Sequence, residues 1–121
     1  MVNVLTLFGM PVDRAAFDEH FEDKHQALLR QVPNVDQLVI NRIAGAASGE
    51  SPFFLIVELR FPSEKAMQEG LNSEAGQAMA RDYGNFASGG ATVLFSEATT
   101  QGLGTGTTDP DKPRQPNGPA G

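Results

Sequence analysis

A largely apolar segment lies near the middle of the chain. Residues 53–61, FFLIVELRF, have a proline on either side, and every odd position of the segment is apolar. Its even positions begin with Phe54 and Ile56 and end with Glu58 and Arg60. Because successive side chains of a strand point to opposite faces, this pattern predicts a central strand with one fully buried face. The second face is predicted to begin apolar and to end in groups that need water, a partner or a ligand.

Other segments with strand or helix periodicity flank this strand. Alternating apolar residues predict strands at residues 2–8, 37–43 and 92–97, and apolar residues at helical spacing predict helices from Asp13 to about Gln31 and from Ser63 to about Tyr83-Gly84. Asp13 is a favourable N-cap for the first helix. Gly70 and Asn72-Ser73 interrupt the second helix, so we expect a break or a new cap near Ser73.

The predicted order is βαββαβ, and a weak internal repeat supports it. Pro11-Val12-Asp13, after the first strand, is echoed by Pro62-Ser63-Glu64 after the third. Two such halves predict an α+β, ferredoxin-like sandwich in which a four-stranded antiparallel sheet carries two helices on one face. The helices leave the other face of the sheet uncovered, and we call it the bare face. Its apolar residues, Phe54 and Ile56 among them, favour a homodimer in which the bare faces of the two copies pack together and enclose a cavity.

Composition narrows the range of functions. The 121 residues suffice for one domain, and no cysteine is present to form a disulfide or a thiolate metal site, which suits the cytoplasm. The sequence shows neither a signal peptide nor an apolar run long enough to cross a membrane. A formal charge of −6 argues against nucleic acid and anionic membranes as partners, since both require a basic surface.

The last part of the chain differs in composition from the rest. Residues 99–121 are rich in Gly, Pro, Thr and Asp and contain almost no apolar side chains. Such a segment buries too little surface to offset the entropy lost on ordering. We therefore predict a folded domain over residues 1–98 and a disordered C-terminal tail over residues 99–121.

His25 is the leading candidate for chemistry. It falls near the middle of the apolar stripe of the first helix, whereas His20 lies well off that stripe and is expected to face water. An imidazole facing a partly apolar cavity can transfer a proton at neutral pH; the alternative is a histidine that only bonds a backbone carbonyl. The two histidines are five residues apart and are predicted to point in different directions, so we expect no metal site.

Four further polar residues have structural as well as functional interpretations. Glu58 and Arg60 share one face of the central strand and are expected either to orient a substrate or to form a cross-strand ion pair at the sheet edge or dimer rim. Asp82 either caps the Gly-rich loop after the second helix or bonds His25, and capping is the favoured interpretation. Tyr83 is expected to pack beneath that loop rather than to donate a proton.

Several motifs occur in an order shared with a known family. Residues 17–28, FDEHFEDKHQAL, are similar to an aromatic-containing turn followed by D-K-H-x-P-L. Residues 61–63, FPS, and 82–92, DYGNFASGGAT, are similar to S-P-E-G, D-x-x-N-F and a Gly-Gly strand entry. Over residues 1–98 the chain thus resembles the EthD-type proteins of the dimeric α/β-barrel superfamily, especially those labelled EthD family reductases. Ala27 stands where the family often has proline.

The resemblance implies a homodimeric α/β barrel that acts on small organic molecules. No nucleotide-binding motif accompanies the reductase label, so we expect no cofactor. We predict a cytoplasmic enzyme that acts on a small, largely apolar compound through His25. The predicted substrate-binding residues are Phe21, Phe54, Ile56, Glu58, Asp82 and Phe86. The alternatives are a dimer that binds such a compound without catalysis and a structural dimer with a filled interior.

Overall fold

The computed structural model describes residues 1–104 of the chain. The predicted tail, 99–121, lies outside the described residues beyond position 104, so its disorder stays a prediction. The strands are β1 Val2–Gly9, β2 Gln37–Arg42, β3 Phe53–Phe61 and β4 Ala91–Glu97. The helices are α1 Arg14–His20, a π-helical turn Phe21–His25, α2 Gln26–Gln31, α3 Glu64–Asn72 and α4 Glu74–Phe86.

The four strands form one antiparallel sheet in the order β2-β3-β1-β4. This order, with helices after β1 and β3, is the predicted α+β ferredoxin-like fold. The core lies between the helices and one face of the sheet, where the odd positions of β3 from Leu55 to Phe61 are buried. The predicted central strand is therefore confirmed, with the predicted face buried.

Phe54 does not share the bare face of the sheet with Ile56. Phe8 pairs with Leu55 while Gly9 pairs with Phe53, so Phe54 is an extra residue between two ladder positions. A bulge of this kind disrupts the local alternation of side chains. The Phe54 ring packs edge-on against Phe17 of α1, with centroids 5.2 Å apart. The predicted alternation was wrong at this position, because a bulge is not visible in the hydrophobic pattern.

The second helical region breaks where the sequence predicts. The Ser73 hydroxyl donates to the Gly70 carbonyl at the end of α3, 2.6 Å away, and accepts from the Gly76 amide at the start of α4, 3.0 Å away. Helix α4, however, continues past the predicted end at Tyr83-Gly84 to Phe86. The extra residues bring Phe86 into the core, where it is 8% exposed.

Two glycines of α4 allow a matched test of packing. A Cβ on Gly76 would lie 2.3 Å from the Gly70 carbonyl oxygen, whereas a Cβ on Gly84 would meet nothing within 4 Å. We expect Gly76→Ala to lower the free energy of unfolding by about 1 to 3 kcal/mol, because backbone must move to relieve the clash. Gly84→Ala should raise it by about 0.5 to 1 kcal/mol through helix propensity. Urea denaturation checks both, and equal effects would contradict the α3–α4 packing.

In the described part of the chain, residues 1–104, no helix covers the second face of the sheet. Directly opposite residues of neighbouring strands point to the same side, so Leu5 of β1, Glu58 of β3 and Leu94 of β4 share this bare face. Leu94 is 46% exposed. Within residues 1–104, no helix is long and apolar enough to cross a membrane.

Candidate functional site

A buried carboxylate on α4 joins two histidines of the first helical segment. One oxygen of Asp82 lies 2.8 Å from Nδ1 of His25 and 2.9 Å from Nε2 of His20, and the other lies 3.0 Å from the same His20 nitrogen. Asn85, one turn further along α4, donates its Nδ2–H to Asp82 across 2.9 Å. We call His20, His25 and Asp82 the His-Asp cluster.

The π-helical turn explains how both histidines reach one carboxylate. In a regular α-helix, residues five apart are rotated by roughly 140° about the axis, so they face different sides. A π-helical turn instead closes with i to i+5 hydrogen bonds, which places residues five apart on nearly the same side. The turn spans Phe21–His25, directly after His20. The prediction that the histidines diverge and that His20 faces water was wrong for this reason.

His25 is enclosed by aromatic rings. It has no exposed surface, and its Nε2 atom has no hydrogen-bond partner among the described residues. Ring centroids lie 4.7 Å away for Phe86, 5.4 Å for Tyr83 and 5.9 Å for Phe21. This imidazole therefore packs against aromatic rings and bonds one carboxylate, that of Asp82.

The surroundings also set the charges of the cluster. Burial lowers the pKa of His25, and the hydrogen bond and charge of Asp82 offset this only in part. Burial alone would raise the pKa of Asp82, but hydrogen bonds from Asn85, His25 and His20 outweigh it and lower the pKa of that carboxyl. At neutral pH the cluster therefore holds an ionised Asp82 and a neutral His25.

An ionised Asp82 fixes the tautomers of its partners. A carboxylate only accepts hydrogen bonds, so Nδ1 of His25 and Nε2 of His20 must both carry hydrogen. In neutral His25 this leaves Nε2 as an unprotonated base, and in a neutral His20 it leaves Nδ1. The cluster can thus accept a proton at either ring.

The pKa shifts predict a two-stage loss of stability with acid. Because the folded-state pKa of His25 is below its unfolded value of 6.5, stability falls as pH drops below 6.5, by up to about 1.4 kcal/mol per pH unit. Because the pKa of Asp82 is also lowered, its contribution is present above the unfolded value of 3.8 and is lost as pH falls through the folded value. Urea unfolding from pH 7.5 to pH 3 measures both stages.

His25→Gln serves as the control for the loss of stability below pH 6.5, which is assigned to His25. The variant retains Asp82 but has no imidazole at this position, so its stability should depend less on pH between 6.5 and 5. An unchanged slope would contradict the assignment to His25.

A cavity of about 370 Å³ lies between α1 and the end of α4. His20 lines it and is 20% exposed at its side chain, whereas His25 does not reach its wall. The His20 ring stacks on Phe86, with centroids 4.8 Å apart and planes 12° apart. The remaining wall combines apolar and uncharged polar groups with one carboxylate: Val12, Asp13, Ala16, Phe17, Gly84, Asn85, Ala87 and Ser88.

The structure divides the predicted site residues between the two faces of the sheet. Phe21, Asp82 and Phe86 lie around His25 on the helix face, as a common site requires. Ile56 and Glu58 lie on the bare face, separated from His25 by the sheet. Asp82 bonds the histidines instead of capping the Gly-rich loop, because α4 continues beyond it and turns its side chain inward.

Glu58 forms an ion pair, as the alternative to a substrate contact proposed, but its partner Arg60 lies on the same strand instead of a neighbouring one. Its carboxylate lies 3.2 Å from Nη2 of Arg60 and accepts a hydrogen bond from Asn41 at 3.0 Å. The three side chains lie on the bare face. Their mutual bonding accounts for the charged end of the central strand without a ligand.

Sequence reasoning missed His20 and Asn85 as site residues. His20 was misplaced by the assumption of a regular helix, and Asn85 by the early predicted helix end. The D-x-x-N-F motif carried the signal, since it contains the bridging Asp82, the supporting Asn85 and the stacked Phe86. Tyr83 was predicted to pack beneath the Gly-rich loop; its ring packs against His25, and its hydroxyl lies 2.9 Å from Oγ1 of Thr6.

The polar atoms of the cluster are directed at one another. Among residues 1–104, no group of three or more His, Cys, Asp or Glu side chains is arranged to hold a metal.

Two comparisons give close relatives. The chain is 34% identical over 100 residues to an uncharacterized 11.0 kDa protein in the thcB-thcC intergenic region of Rhodococcus erythropolis, covering 83% of this chain and 97% of the relative. The crystal structure of an EthD family protein from Bacillus halodurans is similar, with a TM-score of 0.79 and 31% identity, over 82% of this chain and 99% of that one.

More distant structures share the fold alone. SnoaB, a cofactor-independent oxygenase from Streptomyces nogalater, has a TM-score of 0.62 and 12% identity over 83% of this chain and 94% of its own. A dimeric protein of ferredoxin-like fold from Bacteroides fragilis has a TM-score of 0.58 and 11% identity, over 80% of this chain and 95% of its own.

The family assignment rests on a match that covers most of the folded region. The family model described as EthD domain matches residues 10–90, which include the whole His-Asp cluster. Together with the relatives above 30% identity, this match shows that the chain belongs to the EthD family.

Proposed function

We propose that the protein is an enzyme that transfers a proton to or from a small, largely apolar organic compound without a metal or nucleotide cofactor. The observation that carries this proposal is the His-Asp cluster, in which one ionised carboxylate holds two imidazoles and one of these lines a cavity. A histidine oriented by a buried carboxylate is the usual arrangement of a general base. SnoaB shows that this fold can hold a cofactor-independent enzyme.

In this proposal the two histidines act as one acid/base unit. His20 presents its free Nδ1 to a compound in the cavity, and Asp82 stabilises the imidazolium that forms when His20 accepts a proton. His25 binds the second lone pair of the same carboxylate oxygen and fixes its position. The catalytic role expected for His25 is thus proposed for the pair, with His20 as the ring that meets the substrate.

Deuterium exchange tests the proposal without a known substrate. The protein is incubated in D₂O with a panel of small aromatic ketones and phenols, and loss of carbon-bound protons is followed by ¹H NMR. We expect wild type to accelerate exchange of at least one compound, and His20→Ala to lower that rate about 10²- to 10⁴-fold. Glu19→Ala, at an exposed neighbour on α1, is the control and should retain the rate.

A binding protein without catalysis is the second candidate. The cavity beside His20 favours it, because walls that include the Phe17 and Phe86 rings can bind a small compound whether or not a proton is transferred. This function predicts compounds that bind beside the cluster but exchange no proton faster than in buffer. Acceleration that disappears in His20→Ala would contradict it.

We further propose that the protein acts as a cytoplasmic homodimer. A neighbour of the same fold is described as dimeric, and the bare face of the sheet exposes Leu94 beside the apolar Leu5. A second copy packed against this face would remove these side chains from water. The lack of cysteine suits a reducing compartment.

Two substitutions on β4 test the dimer interface. Leu94 points to the bare face, and Val93 points to the helix face with a similar exposure of 40%. Leu94→Glu should convert a dimer into monomers in analytical ultracentrifugation, because it buries a carboxylate in an apolar interface. Val93→Glu adds the same charge one residue away and should leave the dimer intact. Dissociation by Val93→Glu alone would contradict the bare-face arrangement.

A further inference from the structure

The wall of the cavity beside His20 has an uneven distribution of charge. Among residues 1–104, none of the residues that line the cavity is Lys or Arg, and Asp13 contributes a carboxylate. The amides at the start of α1, which would otherwise attract an anion, are already capped by Asp13, whose Oδ1 accepts from the Ala16 amide at 3.0 Å. Even with His20 protonated, the His-Asp cluster is neutral, because Asp82 cancels that charge.

The same wall offers uncharged hydrogen-bond donors. The Ser88 hydroxyl accepts from the Val12 amide at 2.9 Å, which leaves its own O–H free to donate. Asn85 gives one of its two amide hydrogens to Asp82 and keeps the second. Both residues are exposed on the cavity wall. They can bind an acceptor oxygen, but neither supplies the positive charge that would compensate a carboxylate for lost hydration.

Aromatic rings form the apolar part of the wall. Phe17 and Phe86 line the cavity with their centroids 4.9 Å apart and their planes inclined by 52°. Ring surfaces of this kind favour a planar aromatic ligand through offset or edge contacts. The volume of about 370 Å³ suits a compound with a single substituted ring.

We propose that the cavity selects an uncharged aromatic compound that carries an acceptor oxygen, bound by Ser88 and Asn85, and that it rejects carboxylates of the same shape. This inference rests on the proposed function, because it takes the cavity beside His20 as the substrate site. It adds the substrate class, which neither the family nor the His-Asp cluster specifies.

Benzamide and benzoate test the selectivity, since they share one skeleton and differ in charge at pH 7. Binding is measured by titration of ¹⁵N-labelled full-length protein, with the amide signals of residues 84–88 as the reporter of the cavity. We expect benzamide to shift these signals with a Kd about tenfold or more below that of benzoate. Benzoate that binds equally or more tightly, or benzamide that shifts no signal in residues 84–88, would overturn the proposal.

Three variants test which side chains cause the preference for benzamide over benzoate. Ser88→Ala should weaken benzamide binding about three- to tenfold through the lost donor. Ser51→Ala removes a hydroxyl that likewise accepts a backbone amide at 2.9 Å, from Phe53, but lies outside this cavity, and it should change nothing. Asp13→Asn keeps the helix cap and should strengthen benzoate binding about threefold by removing a negative charge. An unchanged Kd in both Ser88→Ala and Asp13→Asn would contradict the assigned contacts.

The two proposals fail in different experiments. If the selectivity is wrong, benzoate competes with benzamide while the deuterium exchange still depends on His20. If the proton transfer is wrong, exchange is insensitive to His20→Ala while the preference for benzamide persists in the binding data.

Discussion

Asp82→Asn is expected to lower the rate of proton exchange about 10²- to 10⁴-fold while the protein remains folded. In the native protein both His20 and His25 donate to the carboxylate. An asparagine oxygen at the shared position can still accept from both rings, but its NH₂ group then faces the Nε2–H of His20 and the amide of Asn85, so donors face each other. The neutral amide also lacks the charge that stabilises an imidazolium. Because the buried position also loses a hydrogen bond, we expect the free energy of unfolding to fall by about 1 to 3 kcal/mol.

Asp23→Asn is the matched control for this substitution. It makes the same chemical change on an exposed residue of the π-helical turn, so both the exchange rate and the stability should stay near those of wild type. Equal activity in Asp82→Asn and wild type would show that the carboxylate has no part in the chemistry.

Phe8→Ala is expected to lower the free energy of unfolding by about 3 to 5 kcal/mol, the largest stability change among the predictions made for this protein. Phe8 has no exposed surface and stands between the sheet and the cluster. Its ring makes edge contacts with Phe17 at 5.4 Å, Tyr83 at 5.7 Å and His25 at 6.3 Å. Truncation leaves a cavity that these rings cannot fill without moving.

Phe8→Leu separates the loss of volume from the loss of ring contacts. It retains most of the apolar side chain, so we expect it to be clearly less destabilising than alanine in urea unfolding. If Phe8→Ala and wild type unfold at the same urea concentration, the aromatic cluster does not support the fold as described.

Most of the sheet could be predicted because the features that define each strand, its alternating apolar residues and the turn residues at its ends, are close together in the sequence. The alternation of side chains with period two predicted β3 with the limits that are observed. Proline and small polar residues marked the ends of the other strands. The break at Ser73 was predictable too, since glycine and cap residues act within one helical turn. The exception was Phe54, where one extra residue in a strand leaves no trace in a pattern of apolar positions.

The site was predictable only in part because it depends on helix geometry and tertiary contacts. His25 was found from its place on the apolar stripe, and Phe21 and Phe86 do surround it. His20 was assigned to water because the turn Phe21–His25 was assumed to be α-helical. The pairing of Asp82 with both rings joins residues about sixty positions apart, which periodicity along one element does not report.

The tautomers of the two histidines test the His-Asp cluster most directly. The chain contains only two histidines, so ¹⁵N–¹H correlation spectra of the imidazoles can be assigned with a single His20→Ala variant. We predict that His25 carries its proton on Nδ1 and stays neutral below pH 6.5, and that His20 carries a proton on Nε2. A His25 protonated on Nε2 alone, or signals unchanged by Asp82→Asn, would contradict the central claim that one carboxylate holds both rings.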